Sequence, residues 1–279
     1  MTETSNAEDF QAEITRRYDA PMYRAMLEVY GDQIHPGFLE GDDDDIREAA
    51  LRATARLAEL AHVTAGASVL ETACGVGGTA RYLAAMRGAR VVATNIARSQ
   101  LAIAGEWTRN AAGAERIRFE FADYHALPYA EASFDVYWCQ DSLLFSTDRP
   151  RALAEAARVV RPGGTIAISD LVVVGTPAPS AAALLTAISA PGFWSAKDYR
   201  EGLAAAGFEA IVAEDWSRHA LPSFDRLAAE IAAKRARLAA IANEADVAET
   251  LERYALWCKA TRTGNLGWFA FVGTRRTKR

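Results

Sequence analysis

A carboxylate set just ahead of a glycine-rich turn is the part of this chain best suited to chemistry. In Ser68-Val69-Leu70-Glu71-Thr72-Ala73-Cys74-Gly75-Val76-Gly77-Gly78-Thr79 an apolar run ends in an acid, and Thr79-Ala80-Arg81-Tyr82-Leu83 then opens a helix. Gly75 and Gly77 are expected where a backbone passes close to a ligand, because glycine has no side chain to obstruct it. The helix start presents unpaired N–H groups to the same crevice. Type and spacing predict a strand–turn–helix nucleotide pocket. Gly75-Val76-Gly77-Gly78-Thr79-Ala80 also fits the dinucleotide fingerprint G-x-G-x-x-G/A, with Asn95 about 20 residues further on. A pyrophosphate wants an unhindered helix N-terminus, whereas Glu71 brings negative charge to it. S-adenosylmethionine, which carries an ammonium and a sulfonium, is the better guest. An NAD-type oxidoreductase and a non-catalytic binding protein on the same fold are the readings from other classes.

The elements that must position these residues follow in order. Val91 to Asn95 reads as a second strand, bounded by Gly88 and by a helix from Ala97 to Asn110. Asn95 at its tip, helped by Gln100, can reach ribose hydroxyls. A third strand, Ile117 to Phe121, leads into Ala122-Asp123-Tyr124, where Asp123 could accept from the exocyclic amine of adenine. A fourth, Phe134 to Cys139, releases Gln140 and Asp141, and the turn Arg161 to Gly164 opens a fifth, Thr165 to Asp170. Ligand groups thus gather after several parallel strands, where open α/β sheets bind. Outside this core, Phe10 to Gly41 is expected to form helices over the cofactor. Trp216 to Thr263 is helical by period, with Phe224, Leu227, Ile231, Leu238 and Ile241 on one face and a second helix from about Asp246 to Lys259. With Pro177 to Trp194 these pieces are expected to cap the strand ends and exclude water.

Bulk properties narrow the class. Of 279 residues, 51% are hydrophobic and 24% charged, as in a globular protein. A net charge of −5 argues against nucleic acid as a partner. No secretory signal and no apolar span long enough for a bilayer are visible, so a cytoplasmic protein with no membrane partner is expected. Cys74, Cys139 and Cys258 form no C-x-x-C pair and read as buried thiols. The acidic run Asp42 to Asp45 lacks the spacing of a calcium loop; Asp45 with Glu48 reads as a helix cap, and no metal is expected. His62, His125 and His219 look incidental, and Arg226, Lys234, Arg235 and Arg237 read as a solvated face.

The ordered set resembles a class I S-adenosylmethionine-dependent methyltransferase. It is most similar to the small-molecule branch of sarcosine/dimethylglycine N-methyltransferases, with rebeccamycin-type sugar O-methyltransferases and tocopherol methyltransferases further out. The resemblance runs from about Tyr18 to Arg275. Its more specific elements are Gly31-Asp32-Gln33-Ile34-His35-Pro36-Gly37-Phe38, Asp45-Ile46-Arg47-Glu48-Ala49, Asn95-Ile96-Ala97, Trp138-Cys139-Gln140-Asp141-Ser142 and Gly264-Asn265-Leu266-Gly267-Trp268. It implies a doubly wound α/β fold, a mostly parallel seven-stranded Rossmann-like sheet with an antiparallel last strand and a helical cap. Residues 1–45 would form an N-terminal helical lid. Residues 46–279 would form the methyltransferase domain, with cap insertions at about 175–195 and 216–263. The implied cofactor site is Glu71, Ala73, Gly75, Gly77, Asn95, Ile96, Gln100, Asp123, Tyr124 and Gln140, with His35 and Gln140 as catalytic candidates.

The expected partner is a small-molecule methyl acceptor, most plausibly an amine nitrogen, with O- or C-methylation of an apolar natural product as the alternative; a homo-oligomer is compatible with the sequence. Where the branch carries histidines after the fourth strand this chain has Leu144 and Phe145, and where betaine-forming relatives have Asp-Pro-Met it has Asp170-Leu171-Val172-Val173-Val174. Together with Phe193-Trp194, these segments predict an apolar acceptor and weak turnover of glycine, sarcosine and dimethylglycine, provided they face the pocket.

Overall fold

The computed structural model describes residues 16–41, 44–176, 179–188 and 190–277. In chain order its helices and strands are α1 (Pro21–Tyr30), α2 (Ile46–Leu60), β1 (Ser68–Thr72), α3 (Gly78–Arg87), β2 (Arg90–Asn95), α4 (Arg98–Thr108), β3 (Ile117–Phe121), β4 (Phe134–Gln140), α5 (Arg149–Val159) and β5 (Val160–Val173). They continue as α6 (Pro179–Ala187), α7 (Ala196–Ala206), β6 (Phe208–Asp215), α8 (Ser217–Ala233), α9 (Arg235–Ile241), α10 (Glu244–Arg262) and β7 (Leu266–Arg275). The strands form one sheet in the order β3-β2-β1-β4-β5-β7-β6. β1 to β5 run parallel, and β7 lies antiparallel between β5 and β6.

The sequence explains the layering. Val69, Leu70, Val91, Val136, Tyr137 and Trp138 are all buried, as strands covered on both faces must be. One sheet face packs on Leu57, Leu83, Leu227 and α1 residues Met22, Ala25, Met26 and Val29; the other packs on Leu153, Tyr199, Leu203 and Phe208. The order reverses between β1 and β4, and that switch point opens a crevice at the carboxyl ends of the strands.

Several boundaries differ from the sequence reading. β5 begins at Val160, taking in the turn before Thr165, with an irregular register between Phe134 and Val136. The stretch 216–263 forms three helices, because Lys234 leaves helical geometry between α8 and α9. Phe224, Leu227, Ile231 and Leu238 are buried as expected, but Ile241 ends a short helix 39% exposed. Asp45 caps α2, its Oδ1 accepting from the N–H of Arg47 at 2.7 Å. Asp44 pairs with Arg52. Asp42, Asp43, residues 1–15 of the expected lid, and Pro177, Ala178 and Ser189 of the expected cap lie outside the described residues. All three cysteines are buried and free.

Four cations read as a solvated face also tie the cap to the N-terminal segment and to itself. Arg237 pairs with Glu28 at 2.9 Å, and Lys234 donates to the carbonyl of Glu28 at 3.2 Å. Arg226 donates to the carbonyl of Asp44 at 2.5 Å, and Arg235 pairs with Glu244.

Candidate active site

The glycine turn is shaped by what lies on it. Ala73 and Gly75 take left-handed dihedrals as the chain leaves β1. At Gly78 a Cβ would sit 2.1 Å from the carbonyl oxygen of Asp32. The segment after α1 therefore crosses directly over the start of α3, and Arg81 holds it there through Asp32 at 2.8 Å. Gly77 has a different reason for being glycine. It lies outside the cavity wall; its φ is +81°, and a Cβ would meet the Phe119 ring at 2.7 Å. At Gly77 it is the Phe119 ring of β3 that takes the space a side chain would need.

A cavity enclosing about 920 Å³ of empty space, counted out past its open mouth into solvent, lies over this turn. A narrower arm joins it through Ile34, Ala73, Gly75 and Gln140. In the narrow arm Glu71 is buried, and its Oε2 has no hydrogen-bond partner. Burial pushes its carboxyl up to about 8, against a weaker pull from Arg81. Such a group is held in its neutral form until a cation reaches it. His35 and Gln33 line the same arm. The His35 Nδ1 lies 2.8 Å from the carbonyl of Pro36 and donates to it, which leaves Nε2 to accept from the Thr54 hydroxyl at 3.2 Å. Burial lowers the imidazole to about 4. Neither ring nitrogen is left open toward an acceptor. Gln140 spans both arms, its Oε1 accepting from the Thr79 hydroxyl at 3.4 Å.

In the wide arm the structure brings together Asn95, Ile96, Gln100, Asp123 and Tyr124. The side chain of Asn95 is committed locally: Oδ1 accepts from Ala97 N–H at 3.0 Å, and Nδ2 donates to Gln100 Oε1. His125 is not incidental, as its type and isolation suggested. It lines the wide arm, pairs with Asp123 at 2.8 Å through Nδ1 and meets Ser146 Oγ at 2.8 Å through Nε2. Tyr18 and Tyr23, from the N-terminal segment, close the opposite wall, with rings edge to face at 5.0 Å. Sequence reasoning placed that segment over the pocket without singling these two out; their signal was paired tyrosines in a stretch otherwise rich in charge.

Past Gln140 the wall is formed by Asp141, Ser142, Phe145 and Thr147. Asp141 has φ +50°, a left-handed conformation that Asp tolerates better than most residues. Its Oδ1 accepts from the Trp268 indole N–H at 2.7 Å, while Oδ2 is buried without a partner. Burial first, then the neighbouring Asp170, pushes its carboxyl up to about 8. Of the segments expected to face an apolar acceptor, only Phe145 lines the cavity. Leu144, Leu171 and Val172 are core residues, Leu171 to Val173 pair with β7, and Trp194 packs on Tyr199. Among the described residues, no Lys or Arg lines either arm.

Residues 70–168 match a family profile described as a methyltransferase domain. The chain is 40% identical over 171 residues to methyltransferase GfsG of Streptomyces halstedii, and spans 60% of that relative's length. It is 34% identical over 221 residues to the 27-O-demethylrifamycin SV methyltransferase of Amycolatopsis mediterranei strain S699, which is 77% of this chain and 80% of that one. The chain belongs to the S-adenosylmethionine-dependent methyltransferases. A solved structure assigned as a sarcosine dimethylglycine methyltransferase from Galdieria sulphuraria superposes on this methyltransferase with a TM-score of 0.86. It has 26% identity and covers 93% of this chain and 98% of that one. The mostly parallel seven-stranded sheet with an antiparallel last strand, implied by the family resemblance, is the sheet of this methyltransferase, in the order 3-2-1-4-5-7-6. Its cofactor is S-adenosylmethionine, and its acceptor is a small molecule.

Proposed function

We propose that this methyltransferase places the methyl group on a hydroxyl oxygen of a natural-product-type small molecule. The observation that carries this is the match to 80% of a relative whose name specifies an oxygen acceptor. The second reading, an amine nitrogen, draws its support from the likeness to the sarcosine dimethylglycine methyltransferase structure.

The residues present fit the cofactor. The ammonium of its amino-acid end suits the narrow arm, where Glu71 has an unpartnered buried oxygen. Its adenosine end suits the wide arm, with Asp123 and the Asn95–Gln100 pair for polar contacts and Ile96 and Tyr124 as apolar wall. When bound, S-adenosylmethionine supplies a methyl carbon already activated by a sulfonium. The protein then has to align an acceptor and keep water away, and alignment contributes about 7–11 kcal/mol in favourable cases. We assign His35 a positioning role. Through Pro36 and Thr54 it holds the segment that crosses the glycine turn.

The test is methyl transfer by the purified chain to 27-O-demethylrifamycin SV and other polyketide alcohols, against sarcosine and dimethylglycine. Saturable methylation of the alcohols is expected. Efficient methylation of dimethylglycine instead would establish the amine reading.

A further inference from the structure

His125 joins two loops that meet at the wide arm. One follows β3 and carries Asp123 and Tyr124; the other follows β4 and carries Phe145, Ser146 and Thr147. Two donors of His125, its backbone N–H and its Nδ1, reach the same Asp123 oxygen, Oδ1, each at 2.8 Å. The backbone bond by itself closes the turn, so the ring is not needed for that. What the ring adds is an anchor at its far end, where Nε2 meets the hydroxyl of Ser146 at 2.8 Å. Ser146 is 1% exposed and stands 21 residues further along the chain. The tautomer follows from these partners. A carboxylate only accepts, so Nδ1 carries the ring proton and Nε2 accepts from Ser146. Ser146 Oγ in turn accepts from the N–H of Asp148 at 3.3 Å, and Arg151 Nε donates to the His125 carbonyl at 2.8 Å. The Asp123 side chain is 30% exposed and lines the wide arm, so a ligand can reach its carboxylate.

We propose that His125 is a positioning residue that makes the site select a base with an exocyclic amine: by fixing Oδ1 it aims the Asp123 carboxylate at the amine of adenine. This rests on the cofactor reading, in which Asp123 accepts from that amine. An Asp side chain held by one backbone bond still turns about its last torsion, which is broad. Two donors on one oxygen, with the ring itself pinned by Ser146, narrow that freedom before the ligand arrives. A hydrogen bond weakens steeply as its angle falls, so the strength of the contact to the amine depends on how the carboxylate is held. Ordering it in advance also removes that cost from binding. A base without the donor gains nothing from the arrangement. The same imidazole meets the Tyr124 ring edge-on, with centroids 4.6 Å apart, and so steadies the apolar wall beside Asp123. His125 acts through Asp123, and no step of methyl transfer passes through it.

Two ligands that differ only at the amine decide the matter: S-adenosylhomocysteine and its 6-desamino analogue, which has hydrogen in that place. Both are titrated calorimetrically into wild type, His125→Phe and Ser146→Ala. Wild type is expected to bind S-adenosylhomocysteine about tenfold or more tighter than the analogue. His125→Phe keeps a ring beside Tyr124 but has no ring donor. Its preference is expected to fall to about threefold or less, with affinity for the analogue unchanged within about twofold. Ser146→Ala leaves His125 in place and releases its far end, and is expected to lose about threefold or more of the preference, again with the analogue unchanged. A preference that stays at the wild-type value in either variant overturns the proposal. So does equal weakening of both ligands, which is what a merely structural role would produce. Equal binding of the two ligands by wild type overturns the Asp123 contact and the proposal with it, whereas wild type that binds neither overturns the cofactor reading itself.

Discussion

Replacing Glu71 by glutamine probes the narrow arm on affinity, proton release and stability together. The Glu71 carboxyl is buried, lacks a partner at Oε2 and stands at about 8, so at pH 7 about nine empty sites in ten hold a proton. An ammonium at Oε2 stabilises the carboxylate, and binding S-adenosylmethionine at pH 7 should release close to one proton. Calorimetry in buffers of different ionisation enthalpy counts it. Glu71→Gln should release none. It should also bind about 10–150-fold more weakly, because a hydrogen bond to a charged group contributes about 1.5–3 kcal/mol. Stability should move the other way. The folded carboxyl sits above its ordinary value of 4.5, so its stabilising contribution is whole below that value and is lost as pH rises toward 8. The empty variant should therefore outlast empty wild type at pH 8 by a few kcal/mol, at ~1.4 kcal/mol per pH unit, and converge with it near pH 4. Proton release unchanged in the variant, or a variant less stable at pH 8, would refute this account of the arm.

Two further outcomes are expected. Gly77→Ala should lower stability by about 1–3 kcal/mol in denaturant titration, because the new Cβ meets Phe119 and the residue keeps a positive φ; wild-type stability would contradict the reason assigned to this glycine. Tyr199→Phe should cost about 1–3 kcal/mol at pH 8 by removing the donor to the buried Asp170 Oδ2. That cost should shrink at pH 5, below the value of about 6 to which burial raises Asp170.

What could be read from the sequence was what is local. Glu71, the glycine turn and the strand tips at Asn95, Asp123 and Gln140 announce themselves by position along the chain, and the fold brings all of them to one cavity. Contacts between distant segments were not readable. Gly77 is set by Phe119 and Gly78 by Asp32. Asp141 gains its meaning from Trp268, 127 residues away. Leu171 to Val173 looked like a substrate surface because an apolar run after a strand and an apolar run within a longer strand have the same composition; pairing with β7 decides between them. His125 looked incidental because its partners Asp123 and Ser146 give a lone histidine no motif.

The measurement that bears most directly on the central claim is mass spectrometry of acceptor and cofactor after incubation of the purified chain with S-adenosylmethionine carrying a labelled methyl group and 27-O-demethylrifamycin SV or a related polyketide alcohol. The account predicts labelled methyl on the acceptor oxygen, with one S-adenosylhomocysteine released for each methyl transferred and both lowered about 10–150-fold by Glu71→Gln at limiting cofactor. Tight cofactor binding with no labelled product from any alcohol or amine would contradict it.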